Sequence, residues 1–175
     1  MELGAGGGLV GLAVASGCSS SRIYITDQVP MLPLLKANIA LNNLSTKVTA
    51  AVFDWGTPVP DGLPRYPDVI LAADCVYFEP AFPLLISTLS DILGPASVCY
   101  FCFKRRRRAD LRFLKLAKRA FQVNEINDDP DSETYKRENI YLYSIRAKPA
   151  AETGKDGGVF KDAAVIKTQK ESIAK

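Results

Sequence analysis

The sequence predicts an α/β protein with an open, mostly parallel sheet. Short apolar runs rich in β-branched and aromatic residues alternate with segments of helical periodicity, which is typical of parallel strands joined by helices. The last two predicted strands are joined by a polar loop without helical periodicity, which predicts that these two strands form an antiparallel edge of the sheet. The 175 residues are 47% hydrophobic, so the chain is long and apolar enough to enclose a core.

The individual elements follow from this alternation. The predicted strands share valine, isoleucine and aromatic residues and cover residues 22–26, 47–53, 68–73, 96–103, 123–126 and 139–146. The predicted helices share apolar residues at near-helical spacing and cover residues 9–15, 29–44, 79–93 and 109–121. Residues 128–137 are acidic and contain proline, so we predict a loop there. The composition becomes polar after Arg146, so we expect a domain over residues 1–146 and a flexible polar tail over residues 147–175.

The composition excludes several kinds of active site. The chain contains no histidine, which excludes Ser-His-Asp hydrolysis, Cys-His proteolysis and zinc hydrolysis with histidine ligands. Any chemistry must therefore use carboxylates, phenols, thiols, lysines or a bound cofactor. Cys99 and Cys102 lie in one predicted strand at a spacing that points them to opposite faces, so we expect reduced core thiols and no metal site.

The amino-terminal segment lacks the pattern of a secretory signal. Residues 3–18 are rich in glycine and apolar residues. However, no lysine or arginine precedes Arg22, and Glu2 is negative where a secretory signal carries positive charge. No apolar run approaches the roughly 20 residues that a membrane span needs. We therefore expect a cytoplasmic protein with no membrane partner.

A glycine-rich turn and an aspartate lie where an open α/β sheet binds ligands, at the carboxyl ends of its strands. The turn runs from Glu2 through Gly4 and Gly6 to Gly8, and its glycines let backbone amides approach a ligand closely. Asp27 ends the next predicted strand, where a carboxylate can accept hydrogen bonds from ribose hydroxyls. Asp27 alone is equally consistent with a helix cap, but together with the turn it favours a cofactor that contains adenosine.

The spacing of the glycines distinguishes between cofactors. A dinucleotide site has the pattern G-x-G-x-x-G, whereas Gly4, Gly6 and Gly8 occupy alternate positions and Glu2 precedes them. An acid beside the turn would repel a pyrophosphate but could bind an ammonium group. This pattern favours S-adenosylmethionine, which carries an amino acid group and no phosphate, over NAD.

Two further strand ends carry side chains that suit a binding site. Asp54 and Trp55 follow one strand, and the indole is about as consistent with an ordinary core position as with a contact to an adenine edge. Another strand ends at Ala73 and is followed by Asp74 and Tyr77. The carboxylate and the phenol form a pair of hydrogen-bond acceptors near the point where we expect a group to be transferred.

Together, Glu2-x-Gly-x-Gly-x-Gly8, Ile25-Thr-Asp27, Asp54-Trp-Gly56 and Asp74-x-x-Tyr77 resemble the seven-strand, S-adenosylmethionine-dependent protein-lysine methyltransferases with a DxxY motif. Residues 68–80 and 99–104 are similar to the fungal elongation-factor lysine methyltransferases, which are related to the human methyltransferase-like 21 group. The similarity spans roughly residues 2–146. It implies a Rossmann-like seven-strand sheet with an antiparallel last strand, and a protein substrate, which we expect to be elongation factor 1-alpha.

The resemblance also implies roles for particular residues. Glu2 and the glycine turn would hold the methionine end of S-adenosylmethionine, and Asp27 would hold its ribose. Asp54 and Trp55 would border the adenine, with Ala73 also at the cofactor. The target lysine would be oriented by Asp74 and Tyr77.

The chain departs from the family at its start. In the family an apolar first strand precedes the glycine motif, whereas here Glu2 directly follows Met1. We therefore expect the first strand to be largely missing, in a chain that is either incomplete or a shortened form. We expect a monomer.

The run Lys104–Arg108 is the most basic part of the chain. It is consistent with a solvated loop, with a docking surface for an acidic protein, or with RNA binding, although the neighbouring aromatic residues belong to a buried strand and we do not expect a nucleic-acid partner. Two alternatives to protein-lysine methylation stay open on the sequence. One is a non-catalytic binding module that retains the fold, and the other is methylation of RNA or a small molecule.

Overall fold

A seven-stranded sheet organises residues 1–18 and 22–149, which are the residues that the computed structural model describes. The strands are β1 (Glu2–Leu3), β2 (Ile23–Asp27), β3 (Val48–Val52), β4 (Val69–Ala73), β5 (Val98–Lys104), β6 (Phe121–Glu125) and β7 (Ile140–Ala147). The helices are α1 (Leu9–Gly17), α2 (Leu32–Leu41), α3 (Phe82–Ile92), α4 (Asp110–Ala120) and α5 (Ser132–Arg137). Short 3-10 turns at Val29–Met31 and Glu79–Ala81 lead into α2 and α3, each with proline near its start, where the missing N–H costs nothing.

The strands lie in the order β3-β2-β1-β4-β5-β7-β6. The first five strands of the chain pair in parallel, and β7 is antiparallel to both of its neighbours. This confirms the mostly parallel α/β sheet, the antiparallel last strand and the antiparallel edge, which the β7-β6 pair forms. Tyr143 and Ile145 of β7 are buried, which suits an interior strand, whereas β6 carries exposed polar residues that suit an edge.

The loop predicted over residues 128–137 contains the short helix α5, so that prediction was wrong in part. Acidic residues begin this helix and Lys136 and Arg137 end it, which complements the helix dipole. Lys136 also forms an ion pair with Glu133 at 3.4 Å, one helical turn away. These stabilising features are electrostatic, and the helix is too short and polar to show apolar periodicity.

Strand β1 is only two residues long, and it nevertheless lies in the middle of the sheet. Glu2 pairs with Ile25 of β2 and Leu71 of β4, and the backbone N–H of Leu71 also donates to the Met1 carbonyl at 2.8 Å. The short length of β1 agrees with the expectation that the first strand is largely missing. At the other end, β7 continues to Ala147, one residue past the expected domain boundary, and the predicted tail from residue 150 onward lies outside the described residues.

Two apolar clusters pack the helices against the sheet. The larger one joins α3 and α4 to the central strands, and Phe101 of β5 stacks on Phe113 of α4 with ring centroids 4.8 Å apart. The smaller one joins α1 and α2 to β2 through residues such as Ile25 and Leu35. Among the described residues, no helix is long and apolar enough to span a membrane. This packing fixes the carboxyl ends of the parallel strands at one edge of the sheet.

Candidate functional site

The glycine turn connects β1 to α1 in a conformation that favours glycine. Gly4, Gly6 and Gly8 have φ values of 57°, 55° and 81°, in the left-handed region that side chains rarely adopt. At Gly4 the space is closed as well, because a Cβ atom there would lie 2.8 Å from Cζ2 of Trp55 and 3.2 Å from Sγ of Cys75. The turn therefore brings its backbone directly against the indole.

Asp27 ends β2 and is held by the glycine turn. One carboxylate oxygen accepts a hydrogen bond from the Gly6 N–H at 2.7 Å, and the other accepts one from the Gln28 N–H at 2.7 Å. The side chain thus fixes the turn and makes no cap to the 3-10 turn that follows it. Each oxygen keeps a lone pair, so the carboxylate can still accept hydrogen bonds from two neighbouring hydroxyl groups.

Glu2 lies against α1 and is only 2% exposed. Its carboxylate accepts a hydrogen bond from the Gly11 N–H at 2.9 Å. Burial raises the pKa of Glu2 to about 7, against the opposing effects of this hydrogen bond and the positive charge of the chain terminus, while Asp27 raises it further. Glu2 therefore supports the start of α1 behind the turn, and its expected contact with the cofactor stays a prediction.

A cavity of about 650 Å³ lies at the carboxyl ends of the strands. The expected site residues on its wall are Gly4, Gly6, Asp27, Asp54, Trp55 and Tyr77. The expected site residues that do not line it are Glu2, Gly8, Ala73 and Asp74. Most of the motif residues thus line one cavity, and the remaining four lie beside it in contact with other parts of the fold.

The residues away from the wall have clear structural positions. Gly8 precedes α1, and a Cβ atom on it would lie 3.0 Å from Cδ1 of Ile25. Ala73 is paired with Cys102 at the end of β4. Gly8 thus lies close to β2, and Ala73 lies beside β5 in the sheet.

Asp74 follows β4 and forms an ion pair that the sequence did not predict. Its two carboxylate oxygens accept hydrogen bonds from Nη1 and Nη2 of Arg106 at 2.8 and 2.9 Å. The hydrogen bonds from this guanidinium lower the pKa of Asp74, and burial acts in the opposite direction. Asp74 therefore carries a negative charge, and Arg106 offsets that charge.

Tyr77 and Phe78 place aromatic side chains at the same cavity. Tyr77 is 69% exposed and Phe78 is 57% exposed, although both are large and partly apolar. Exposed aromatic side chains on a cavity wall are typical of surfaces that receive a ligand or a partner.

Several residues on the cavity wall were not expected from the sequence. Phe53, Met31 and Leu84 supply apolar surface, and Cys75 contributes beside Gly4. Phe53 directly precedes Asp54, so its position at a strand end was the available signal. Trp55 lines the cavity and also packs on the larger core cluster, and its expected contact with an adenine edge stays a prediction.

Comparison with known sequences connects this arrangement to characterised proteins. A family described as lysine methyltransferase matches residues 1–120. Protein-lysine N-methyltransferase EFM6 of Saccharomyces cerevisiae is 39% identical over 164 residues, covering 85% of this chain and 66% of the relative. Protein N-lysine methyltransferase METTL21A of Mus musculus is 32% identical, covering 77% of this chain and 62% of the relative. EEF1A lysine methyltransferase 3 of Mus musculus is 31% identical, covering 88% and 64%. The chain therefore spans about two thirds of the length of these relatives.

Comparison with solved structures supports the same fold. Mitomycin 7-O-methyltransferase MmcR is similar with a TM-score of 0.66 at 14% identity, covering 84% of this chain and 48% of the other. The O-methyltransferase NcsB1, solved with S-adenosylmethionine, has a TM-score of 0.63 at 14% identity and the same coverage. At this identity the likeness concerns the fold, while the sequence matches define the family. The chain belongs to the lysine methyltransferase family.

Proposed function

We propose that this chain acts as an S-adenosylmethionine-dependent protein-lysine N-methyltransferase whose substrate is elongation factor 1-alpha. One observation carries the proposal. A single cavity is lined by the glycine turn, by the acceptor Asp27 and by the exposed phenol of Tyr77. The names of the relatives support the reaction, and one of them is named for the lysine methylation of EEF1A.

The cavity suits S-adenosylmethionine in size and in chemistry. Its volume lies within the roughly 300–1,000 Å³ that small-molecule sites occupy. The free lone pairs of Asp27 match the two hydroxyl groups of a ribose. The indole of Trp55 and the side chain of Phe53 offer apolar, aromatic surface for a base. When bound, S-adenosylmethionine supplies a methyl group on a positively charged sulfur atom.

The remaining task of the protein is to align a lysine amine and to keep it free of its extra proton. An ordinary lysine has a pKa of about 10.4 and is mostly protonated at neutral pH, so its nitrogen has no lone pair to accept a methyl group. A site shielded from water and close to a positive charge lowers that pKa. Asp74 and Tyr77 offer hydrogen-bond acceptors that orient the amine. Such alignment accounts for catalysis without a histidine base.

The test separates cofactor binding from methyl transfer. Calorimetry should detect binding of S-adenosylmethionine to the full chain, and labelling of a lysate with a tritiated donor should give a protein product that nuclease treatment does not remove. The variant Tyr77→Phe should bind the cofactor normally and transfer more slowly, whereas Tyr135→Phe, which alters a tyrosine outside the cavity wall, should behave like wild type. Labelled RNA or small molecules instead of protein would refute the proposed substrate class. Absence of cofactor binding would refute the proposal as a whole.

A further inference from the structure

The basic run of the sequence contacts the segment that carries Asp74 and Tyr77. Residues 105–107, here called the arginine segment, connect β5 to α4. Residues 74–77, here called the strand-end segment, follow β4. Strands β4 and β5 pair in parallel up to Ala73 and Cys102, so their carboxyl ends bring the two segments together.

The first contact fixes the carboxylate of Asp74. Arg106 binds both of its oxygens through both terminal nitrogens, at 2.8 and 2.9 Å. A bidentate pair of this kind fixes the orientation of the carboxylate as well as its position, because the guanidinium is planar and its donors are rigidly spaced.

The second contact fixes the backbone beside Tyr77. Nη2 of Arg107 donates to the carbonyl of Tyr77 at 2.5 Å and lies 3.4 Å from the carbonyl of Val76. The same arginine therefore joins the two peptide groups that set the direction of the phenol.

The arginine segment is itself anchored at the start of α4. Asp110 is 2% exposed, and one of its carboxylate oxygens accepts the backbone N–H groups of Arg106 and Arg107 at 2.8 and 2.9 Å. On the other side, the backbone N–H of Arg105 donates to the carbonyl of Asn139 at 2.7 Å. The guanidinium groups therefore project from a backbone that is held at both ends.

The strand-end segment begins in an uncommon conformation, because Asp74 has a φ of 57°, in the left-handed region that only a few per cent of non-glycine residues adopt, asparagine and aspartate most often. We propose that Arg106 and Arg107 are positioning residues that clamp Asp74 and Tyr77 in the conformation that receives the substrate amine. This inference rests on the proposed function. It gives the basic run a role inside the enzyme and leaves no need for an RNA or an acidic partner to explain it.

The clamp also has an electrostatic consequence for the amine. An isolated carboxylate beside a lysine favours the protonated, unreactive form of that lysine. Arg106 faces Asp74 from the loop after β5, and Arg107 and Asp110 form an ion pair in the same loop and the start of α4. The neighbouring thiols of Cys75 and Cys102 are neutral because burial raises their pKa values. The guanidinium of Arg106 thus offsets the charge of Asp74. Removal of this guanidinium should therefore raise the pH at which the reaction reaches its full rate.

The first test compares variants that remove the same charge from the same stretch of chain. Arg106→Gln breaks the clamp, whereas Arg108→Gln alters an exposed residue whose side chain makes no hydrogen bond or ion pair with the described residues. We expect Arg106→Gln to lower kcat by about ten-fold or more, with an unchanged Kd for S-adenosylmethionine and a pH-rate profile moved to higher pH. Arg106→Lys should restore the position of the profile and recover kcat only in part, since lysine cannot bind in the bidentate manner. Equal behaviour of the Arg106→Gln and Arg108→Gln variants would overturn the inference.

The second test does not depend on activity. Hydrogen exchange of the full chain without substrate should show faster exchange at residues 75–78 in Arg106→Gln and Arg107→Gln than in Arg108→Gln. Unchanged exchange at these residues would overturn the clamp even if the enzyme is active. A wild-type chain that transfers no methyl group would refute the proposed function, and the exchange comparison would then decide by itself whether the clamp exists.

Discussion

Replacing Glu2 by glutamine should stabilise the protein at high pH and leave it nearly unchanged at low pH. The carboxylate is buried, and its pKa rises from an ordinary 4.5 to about 7. At roughly 1.4 kcal/mol per pH unit, ionising this group in the folded protein lowers the free energy of unfolding by about 3 kcal/mol. Glutamine keeps an oxygen that can accept the hydrogen bond from the Gly11 N–H and carries no charge.

The sign follows from where the proton binds more tightly. A carboxyl group with a raised pKa holds its proton better in the folded protein than in the unfolded chain. Its contribution to stability is therefore fully present below about pH 4.5 and is lost as the pH rises through about 7. Between these two pH values the wild type should therefore become less stable than Glu2→Gln. Above about pH 7 the free energies of unfolding should differ by the full amount, about 3 kcal/mol.

Urea unfolding at about pH 5 and about pH 8 measures this difference directly. Glu138→Gln removes the same charge from an exposed position and serves as the control, with a free energy of unfolding that should follow the wild type at both values. If Glu2→Gln were less stable than the wild type at the higher pH, the burial argument for Glu2 would be refuted. A difference that does not change with pH would refute it equally.

Three further substitutions test the turn and the cavity. Gly11→Ala should destabilise the protein by about 1–3 kcal/mol in urea unfolding, because its Cβ would lie 2.5 Å from Cγ2 of Ile25, and full stability would contradict the packing. Asp27→Asn should weaken S-adenosylmethionine binding by about ten-fold or more in calorimetry, since a charged acceptor is lost, and an unchanged Kd would exclude Asp27 from the cofactor site. Gly4→Ala should weaken the same binding, because the methyl group meets Trp55 and the φ of 57° costs about 1–2 kcal/mol. Wild-type affinity in that variant would show that the turn does not approach the cofactor.

The residues that local motifs define could be predicted from the sequence. The glycine turn and Asp27 follow short strands with recognisable ends, and the parallel sheet brings strand ends to one edge. Asp54, Trp55 and Tyr77 reach the same cavity for the same reason.

The contacts that depend on register or side-chain direction could not be predicted in this way. Arg106 meets Asp74 across 32 positions of sequence, and only the pairing of β4 with β5 brings them together. The sequence identified an acid beside the turn but not the direction of its side chain, and Glu2 is buried against α1. The order of the last two strands also depends on register, because β7 pairs with both β5 and β6 and so lies between them.

Mass spectrometry of purified elongation factor 1-alpha after incubation with the full chain and S-adenosylmethionine tests the central claim most directly. We predict a methyl group on a lysine of that protein, formed by the wild type and by Tyr135→Phe and much less by Tyr77→Phe. A chain that binds S-adenosylmethionine and leaves every lysine of elongation factor 1-alpha unmodified would contradict the proposed substrate.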